Sequence, residues 1–411
     1  MTALTPFRLL DEIRARSVHA VLAQSGLAHP GLAAEIRRRF GARDAMRGGL
    51  LAEPVIEAAP DYTRSDETLA AFEGTLLHPA TIAALDGADD LRQDRYRFPR
   101  GQRPFTHQVE AWRLLTDPAV NRSVLVSSGT GSGKTECFLL PILDHLVRST
   151  QHAPLIGVEA IVLYPLNALI ASQEERLRDW TAPFKGKIRF ALYNGLLQNE
   201  VPADTARQRP ETIGDRKTLR AEPPPILVTN VTMLEYMLLR REDVPILTRS
   251  QGRLRYIVLD EAHSYIGAQA AEIALLLRRV CIAFGVQPAD IRFIATSATI
   301  GGSEADAELR RFLADVSGTP TERVRVIRGR QHWPALPPLR PNPEPLTDAT
   351  LKDAGEPELF DALASHPTVR PLIEALRARP MQWPELEATA LRARLSPDVL
   401  MLALARARRP D

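Results

Sequence analysis

From about residue 102 the chain alternates short apolar or β-branched runs with stretches of helical periodicity. The runs lie at 123–127, 160–164, 188–193, 226–229, 256–260 and 291–296. They do not alternate apolar with polar, so each is expected to be buried on both faces. That is the habit of strands in a parallel sheet whose crossovers are helices. The pattern predicts an α/β fold with a mostly parallel sheet. A helix at 305–313 and one more strand at 323–327 should follow. The polar, arginine-bearing stretch at 201–225, which ends in three prolines, interrupts the pattern and reads as a surface loop.

The flanks have a different texture. Thr5 and Pro6 make an N-cap and N1 pair for a helix that Gly26 can close, and a second helix at 31–40 ends at Gly41. Residues 46–64 are rich in Gly, Pro and Ala and read as loop. Residues 333–345 are dense in proline, and the tail beyond is helical with polar breaks. The expected organisation is a mainly helical accessory region at 1–100, an α/β domain at 101–330, a Pro-rich linker at 331–345 and a helical tail at 346–411.

Composition narrows the class without naming it. With 411 residues, 45% hydrophobic and 25% charged, the chain has enough apolar material for a core, which excludes wholesale disorder. Fifty-two basic and 50 acidic residues leave a formal charge of +2, which excludes a polycation but leaves room for a local basic face. Cys137 and Cys281 are too few to build a disulfide framework or a four-ligand zinc site and fit a reduced, cytoplasmic compartment. The first ten residues do not resemble a signal peptide, and no apolar run approaches a membrane span. The lysines are only Lys134, Lys185, Lys187, Lys217 and Lys352, so the place of Lys134 is informative.

Lys134 ends a Gly-rich turn. Residues 128–135 read Ser-Gly-Thr-Gly-Ser-Gly-Lys-Thr, directly after the 123–127 run and before a helical stretch. Gly129, Gly131 and Gly133, with Thr130 and Ser132 between them, let backbone N–H groups approach an anion, and the helix N-terminus adds its dipole. In such a phosphate loop the lysine contacts the β and γ phosphates, and the Thr135 hydroxyl faces Mg²⁺. A nucleoside triphosphate and Mg²⁺ are therefore expected at this loop. Downstream, the 256–260 run ends in Asp260 and Glu261. One carboxylate at a strand tip can hold the Mg²⁺ through water, and the next can orient or deprotonate an attacking water.

Here a family resemblance enters. Asp-Glu-Ala-His at 260–263 and Ser-Ala-Thr at 297–299 resemble motifs II and III of superfamily 2 helicases of the DEAD/DEAH-box type. Phe-Thr-His-Gln at 105–108 stands before the phosphate loop where that family has its Q motif, and Pro-Leu-Asn-Ala-Leu at 165–169 is similar to motif Ia. Tyr-Asn-Gly at 193–195 and Thr-Asn at 229–230 are similar to later strand-tip motifs. The resemblance implies a RecA-like lobe over about 102–330. It implies that Gln108 reads the adenine edge, and that His263, Ser297 and Thr299 couple nucleotide state to strand binding. It also implies that Pro165, Asn167, Asn194, Gly195, Thr229 and Asn230 touch a nucleic-acid backbone. The wording at 226–237 and 259–269 is similar to the large bacterial Lhr/YprA-like DNA helicases, whose relatives occur in DNA repair and in anti-phage loci such as Druantia and DISARM. DNA is thereby favoured over RNA as partner.

Other features leave their readings open. Arg207, Arg209, Arg216, Lys217 and Arg220 would either track phosphates or belong to a solvated loop. The four tryptophans are expected to pack more than to stack on bases. The resemblance also implies a second RecA-like lobe carrying an arginine finger. Arg-Gly-Arg at 328–330 is a poor match to it, so that lobe is expected on another chain or in further sequence. The function expected is the N-terminal motor lobe of an ATP-dependent helicase. The alternative is a non-motor nucleotide- or DNA-binding subunit that serves as an assembly platform.

Overall fold

The computed structural model describes residues 6–42, 48–52, 54–87, 96–129, 131–150, 154–265, 267–298, 305–341 and 343–407. They form two compact units: 62–331, and a second that joins 1–61 to 332–411. This division differs from the sequence expectation. Residues 62–100 belong with the sheet because Leu69, Phe72, Leu77, Ile82 and Leu85 bury themselves against Trp112, Phe138 and Leu139. The N-terminal region and the tail share a core: Leu10, Ile56 and Ala58 pack on Leu359, Leu363, Leu372, Trp383 and Leu400. Val55–Ile56 also pairs antiparallel with Met381–Gln382. The proline-rich stretch is no free linker. Proline leaves carbonyls without N–H partners, and arginines of the helix Arg370–Ala378 donate to them: Arg370 to Pro337 O at 2.7 Å and Arg377 to Pro334 O at 2.6 Å.

The 62–331 unit is built on eight parallel strands: β1 (Ser123–Ser127), β2 (Ala160–Leu163), β3 (Phe190–Tyr193), β4 (Thr212–Ile213), β5 (Ile226–Thr229), β6 (Tyr256–Leu259), β7 (Arg292–Ser297) and β8 (Val324–Arg328). Their order is β8-β1-β7-β6-β2-β5-β3-β4. Strand periodicity divides the side chains between two cores. Val124 and Val126 enter one and Leu125 the other, and helices cover both. This is the α/β, RecA-like architecture expected. Among the described residues no helix is long and apolar enough to cross a membrane.

The 201–225 stretch corrects the loop expectation. It contains β4 at the sheet edge and the helix Arg216–Ala221, whose N-cap Asp215 accepts from Thr218 N at 2.7 Å. A two-residue strand is too short to show a period, so only tertiary burial of Ile213 and Leu219 reveals it. Three of the five cations here are engaged by residues outside the stretch, while Arg207 and Arg209 are exposed. Arg216 lies over Tyr193, Lys217 pairs with Glu200, and Arg220 reaches Asp243 at 2.8 Å. Trp112, Trp180 and Trp383 are buried, in keeping with packing.

Asp243 is 1% exposed and takes two donors, Arg220 Nε at 2.8 Å and Tyr193 Oη at 2.6 Å. Burial, followed by the bond to Asp243, pushes the Tyr193 phenol up to about 12. Removing the shared acceptor leaves a partly buried cation and a buried hydroxyl without it. Asp243→Ala is therefore expected to lower stability by roughly 3 kcal/mol, read as a lower urea midpoint.

Candidate active site

Parallel pairing brings the carboxyl ends of β1, β7 and β6 side by side, with Ser127 opposite Ser297 and Leu259 opposite Ala295. The Gly-rich turn leaves β1 and enters the helix Lys134–Ser149. Gly131 and Gly133 have φ of 73° and 70°, conformations open to glycine at little cost. Ser128 N–H donates to Ser297 O at 3.2 Å, and Ser132 Oγ donates to Gly129 O at 2.8 Å. Lys134 Nζ donates to Ser128 O at 3.0 Å and to Gly129 O at 3.1 Å, so its ammonium lies across the turn. Thr135 is half-buried in the first turn of the helix. Thr130 lies outside the described residues.

The 105–108 motif meets this turn directly. Gln108 sits at the third position of the helix Thr106–Thr116 and accepts from Phe105 N at 2.9 Å, as a glutamine there can. Its Nε2 donates to Gly133 O at 3.2 Å. Beside it is a cavity of about 210 Å³ whose lining includes Tyr96, Phe105, Gln108, Gly133, Glu136 and Arg176. His107 is 1% exposed, and its Nε2 lies 2.8 Å from Ser132 O. A carbonyl only accepts, so Nε2 carries the proton. Tyr62 closes the other side, where its hydroxyl accepts from Gly129 N at 2.8 Å and its ring meets His107 edge-on. Sequence reasoning missed both residues. Tyr62 stands 67 positions before Gly129 in a stretch read as loop, with no local signal.

At the tip of β6, Asp260 is 7% exposed. Burial pushes its carboxyl above the ordinary range, against the opposing influence of a Thr296 hydrogen bond; Glu261 adds to the rise and Lys134 opposes it. Thr296 Oγ1 donates to Asp260 Oδ1 in a short contact and accepts from Glu261 N at 3.1 Å. Glu261 has φ of 52°, a left-handed conformation that costs a side-chain-bearing residue roughly 1–2 kcal/mol. His263 Nδ1 lies 3.3 Å from Glu261 Oε2. Ser297 is buried, and its Oγ has no hydrogen-bond partner among the described residues. Thr299 lies outside them. Asp260's hydroxyl partner is thus Thr296, one residue before the expected motif.

The strand-tip residues divide into two groups. Asn167 and Asn230 come together from β2 and β5, with Asn230 Nδ2 donating to Asn167 Oδ1 at 2.7 Å. Asn230 also caps the helix Val231–Leu239 by accepting from Met233 N at 2.8 Å. Pro165 is half-buried, and Gly195 is exposed at the end of β3. Asn194 is 8% exposed, and its Oδ1 accepts from Leu196 N at 2.9 Å. Thr229 corrects the expectation of a side-chain contact with a nucleic-acid backbone. It is fully buried and its hydroxyl donates to Tyr193 O at 2.6 Å, so it holds β5 to β3 instead.

Two tests follow from the turn. A Cβ on Gly133 would run into Gln108 Nε2, whereas one on Gly131 would meet nothing within 4 Å. Both alanine variants carry the backbone cost of about 1–2 kcal/mol. Gly133→Ala should lose about 0.5–1.5 kcal/mol more in urea unfolding, because Gln108 must swing aside and give up its bond to Gly133 O. The second test concerns His107. Burial lowers its pKa below 6.5, opposed by the Ser132 bond and reinforced by Lys134. The unfolded chain therefore binds the proton more readily. The stabilising contribution of neutral His107 is full above about pH 6.5 and is lost as pH falls below it. Urea midpoints compared between pH 7.5 and 5 should show a smaller acid loss in His107→Gln than in the unsubstituted chain.

The DEAD/DEAH box helicase family matches residues 105–307. The Druantia protein DruE of Escherichia coli (strain UMEA 4076-1) is 27% identical, over 67% of this chain and 20% of its own length. The uncharacterized ATP-dependent helicase YprA of Bacillus subtilis (strain 168) is 28% identical, over 54% of this chain and 27% of its own. This chain thus spans only about a fifth to a quarter of those relatives. The crystal structure of the DUF1998 helicase MrfA bound to DNA aligns with a TM-score of 0.46 and 23% identity, over 67% of this chain and 32% of that one. The family match and the order of the motifs identify residues 105–307 as a DEAD/DEAH box helicase domain, in a chain similar to the Lhr/YprA-like helicases.

Proposed function

We infer that this chain is an ATP-binding motor lobe of a DNA helicase or translocase. The observation that carries the reading is the meeting of three strand ends. The β1 turn with Lys134, the β6 tip with Asp260 and Glu261, and the β7 end between them are joined by the Ser128–Ser297 and Asp260–Thr296 hydrogen bonds. The glycine amides and the helix N-terminus receive the phosphates, and Lys134 exchanges its carbonyl partners for the β and γ oxygens. The adenine enters the cavity beside Gln108 and Phe105.

The donor set fits Mg²⁺. Among the described residues no group of three or more His, Cys, Asp or Glu side chains could hold a metal ion alone. Asp260 and Thr135 instead offer two oxygens, and Mg²⁺ is commonly held by one or two carboxylates together with substrate phosphates. When bound, that ion neutralises charge developing on the phosphates. Glu261, next along the chain, orients the attacking water and takes its proton. His263, beside Glu261, and the β7 end relay nucleotide state to the strand-tip residues. Asn167, Asn194, Gly195 and Asn230 then hold one strand by its backbone, which carries no base information.

A second RecA-like lobe, on another chain or in further sequence, supplies the arginine finger and closes over the ATP. The similarity to the Druantia protein supports a place in anti-phage defence, with DNA repair the other setting that the family resemblance implies, within a larger or split helicase.

ATP turnover by the purified chain, with and without single-stranded DNA, tests this. Without an arginine finger, turnover should be slow. A second lobe should raise it by roughly 10³–10⁵. Lys134→Ala should abolish nucleotide binding, whereas Glu261→Gln should keep binding and lose hydrolysis. Nucleotide binding indifferent to Lys134→Ala would overturn the assignment.

A further inference from the structure

We propose that Thr296 is the positioning residue that sets the Asp260 carboxylate for its cation. The inference rests on the reading of Asp260 as the carboxylate that faces Mg²⁺.

A hydroxyl has one proton to give, and the Thr296 hydroxyl is fully committed. Its proton goes to Asp260 Oδ1, and its oxygen receives the Glu261 N–H at 3.1 Å. One side chain thus fixes the rotamer of the first acid and the backbone of the second. Thr296 is 0% exposed on β7, where its β-branch restricts χ1, so the hydroxyl is aimed in advance. The contact also restrains a costly conformation, since Glu261 has φ of 52°. Neighbouring hydroxyls do not share the task. Ser297 Oγ and Tyr265 Oη are buried and have no hydrogen-bond partner among the described residues. The next residue of the same strand, Ser297, accepts the Ser128 N–H of the phosphate loop. The end of β7 therefore ties both halves of the site together, through a side chain on one side and a carbonyl on the other.

Partners of a metal-facing carboxylate matter by orienting it, and their loss costs roughly 10–100-fold in metal affinity. The test uses the whole chain and a fluorescent ATP analogue titrated with MgCl₂. Thr296→Val keeps the shape and removes the hydroxyl; Thr296→Ser keeps the hydroxyl. Thr296→Val should raise the Mg²⁺ midpoint for analogue binding at least about tenfold, while binding in EDTA stays unchanged. Thr296→Ser should restore the midpoint to near that of the unsubstituted chain. If Thr296→Val does not fold, Thr296→Ala carries the same expectation.

An unchanged midpoint in the hydroxyl-free variant, or an equal loss in EDTA, would overturn the proposal, since a purely structural role weakens binding with or without the ion. Asp260→Asn separates the two levels of inference. If it leaves the Mg²⁺ dependence intact, the reading of Asp260 fails. If it abolishes that dependence and Thr296→Val does not shift it, only the role of Thr296 fails. In the double variant, adding Thr296→Val to Asp260→Asn should not alter the Mg²⁺ dependence further, because the hydroxyl acts on the ion through the carboxylate.

Discussion

Parallel pairing of β1, β7 and β6 is the constraint on which the site depends. Parallel strands point their carboxyl ends to one edge, so the phosphate loop after β1 and the acidic pair after β6 arrive at the same place although 126 residues separate Lys134 from Asp260. β7 lies between them. Its terminal residues face both motifs and present a hydroxyl to one and a carbonyl to the other. A sheet buried on both faces tolerates little register error, because a one-residue slip would send Val124 and Val126 into the wrong core. The hydrophobic pattern that sets the fold therefore also sets the chemistry.

Around this edge the phosphate loop is braced from three directions. Gln108 reaches Gly133 from the preceding helix, His107 reaches Ser132, and the Tyr62 hydroxyl takes the Gly129 amide. A glycine-rich loop gains freedom to approach an anion but loses conformational entropy when it is ordered. Contacts from outside the loop offset that loss before a phosphate arrives. They also explain why 62–100 folds with the sheet: the apolar residues of that segment pack on Trp112 and Phe138, and Tyr62 at its start meets the loop.

Polar residues at the opposite end of the sheet order serve the scaffold more than a ligand. Buried Asp243 and Tyr193 and half-buried Arg220 form a triad that pins the edge helix, and Arg216 spreads over Tyr193 while donating to Asn194 O and Leu197 O. Part of the arginine-rich stretch is thus drawn into the fold, while Arg207 and Arg209 stay exposed. Asn167 and Gly195 are exposed and Asn230 is half-buried, after β2, β3 and β5.

Much of this was legible in the chain itself. Runs of β-branched residues marked seven of the eight strands, and the glycine spacing before Lys134 marked the phosphate loop. The adjacent carboxylates after β6 marked the acidic tip, and the motif order indicated the family. These are local signals, carried by residues close in sequence. Tertiary structure decided the rest. A two-residue strand has no period, so β4 appeared only through the burial of Ile213. The N-terminal region and the tail share a core because apolar faces far apart in sequence find each other, which no local pattern encodes. Thr229 looked like a strand-tip contact but is spent on Tyr193 O, while Thr296, one residue outside the expected motif, holds Asp260. A threonine on a strand reads the same whichever way its hydroxyl points, and only the neighbouring strand determines what that hydroxyl meets.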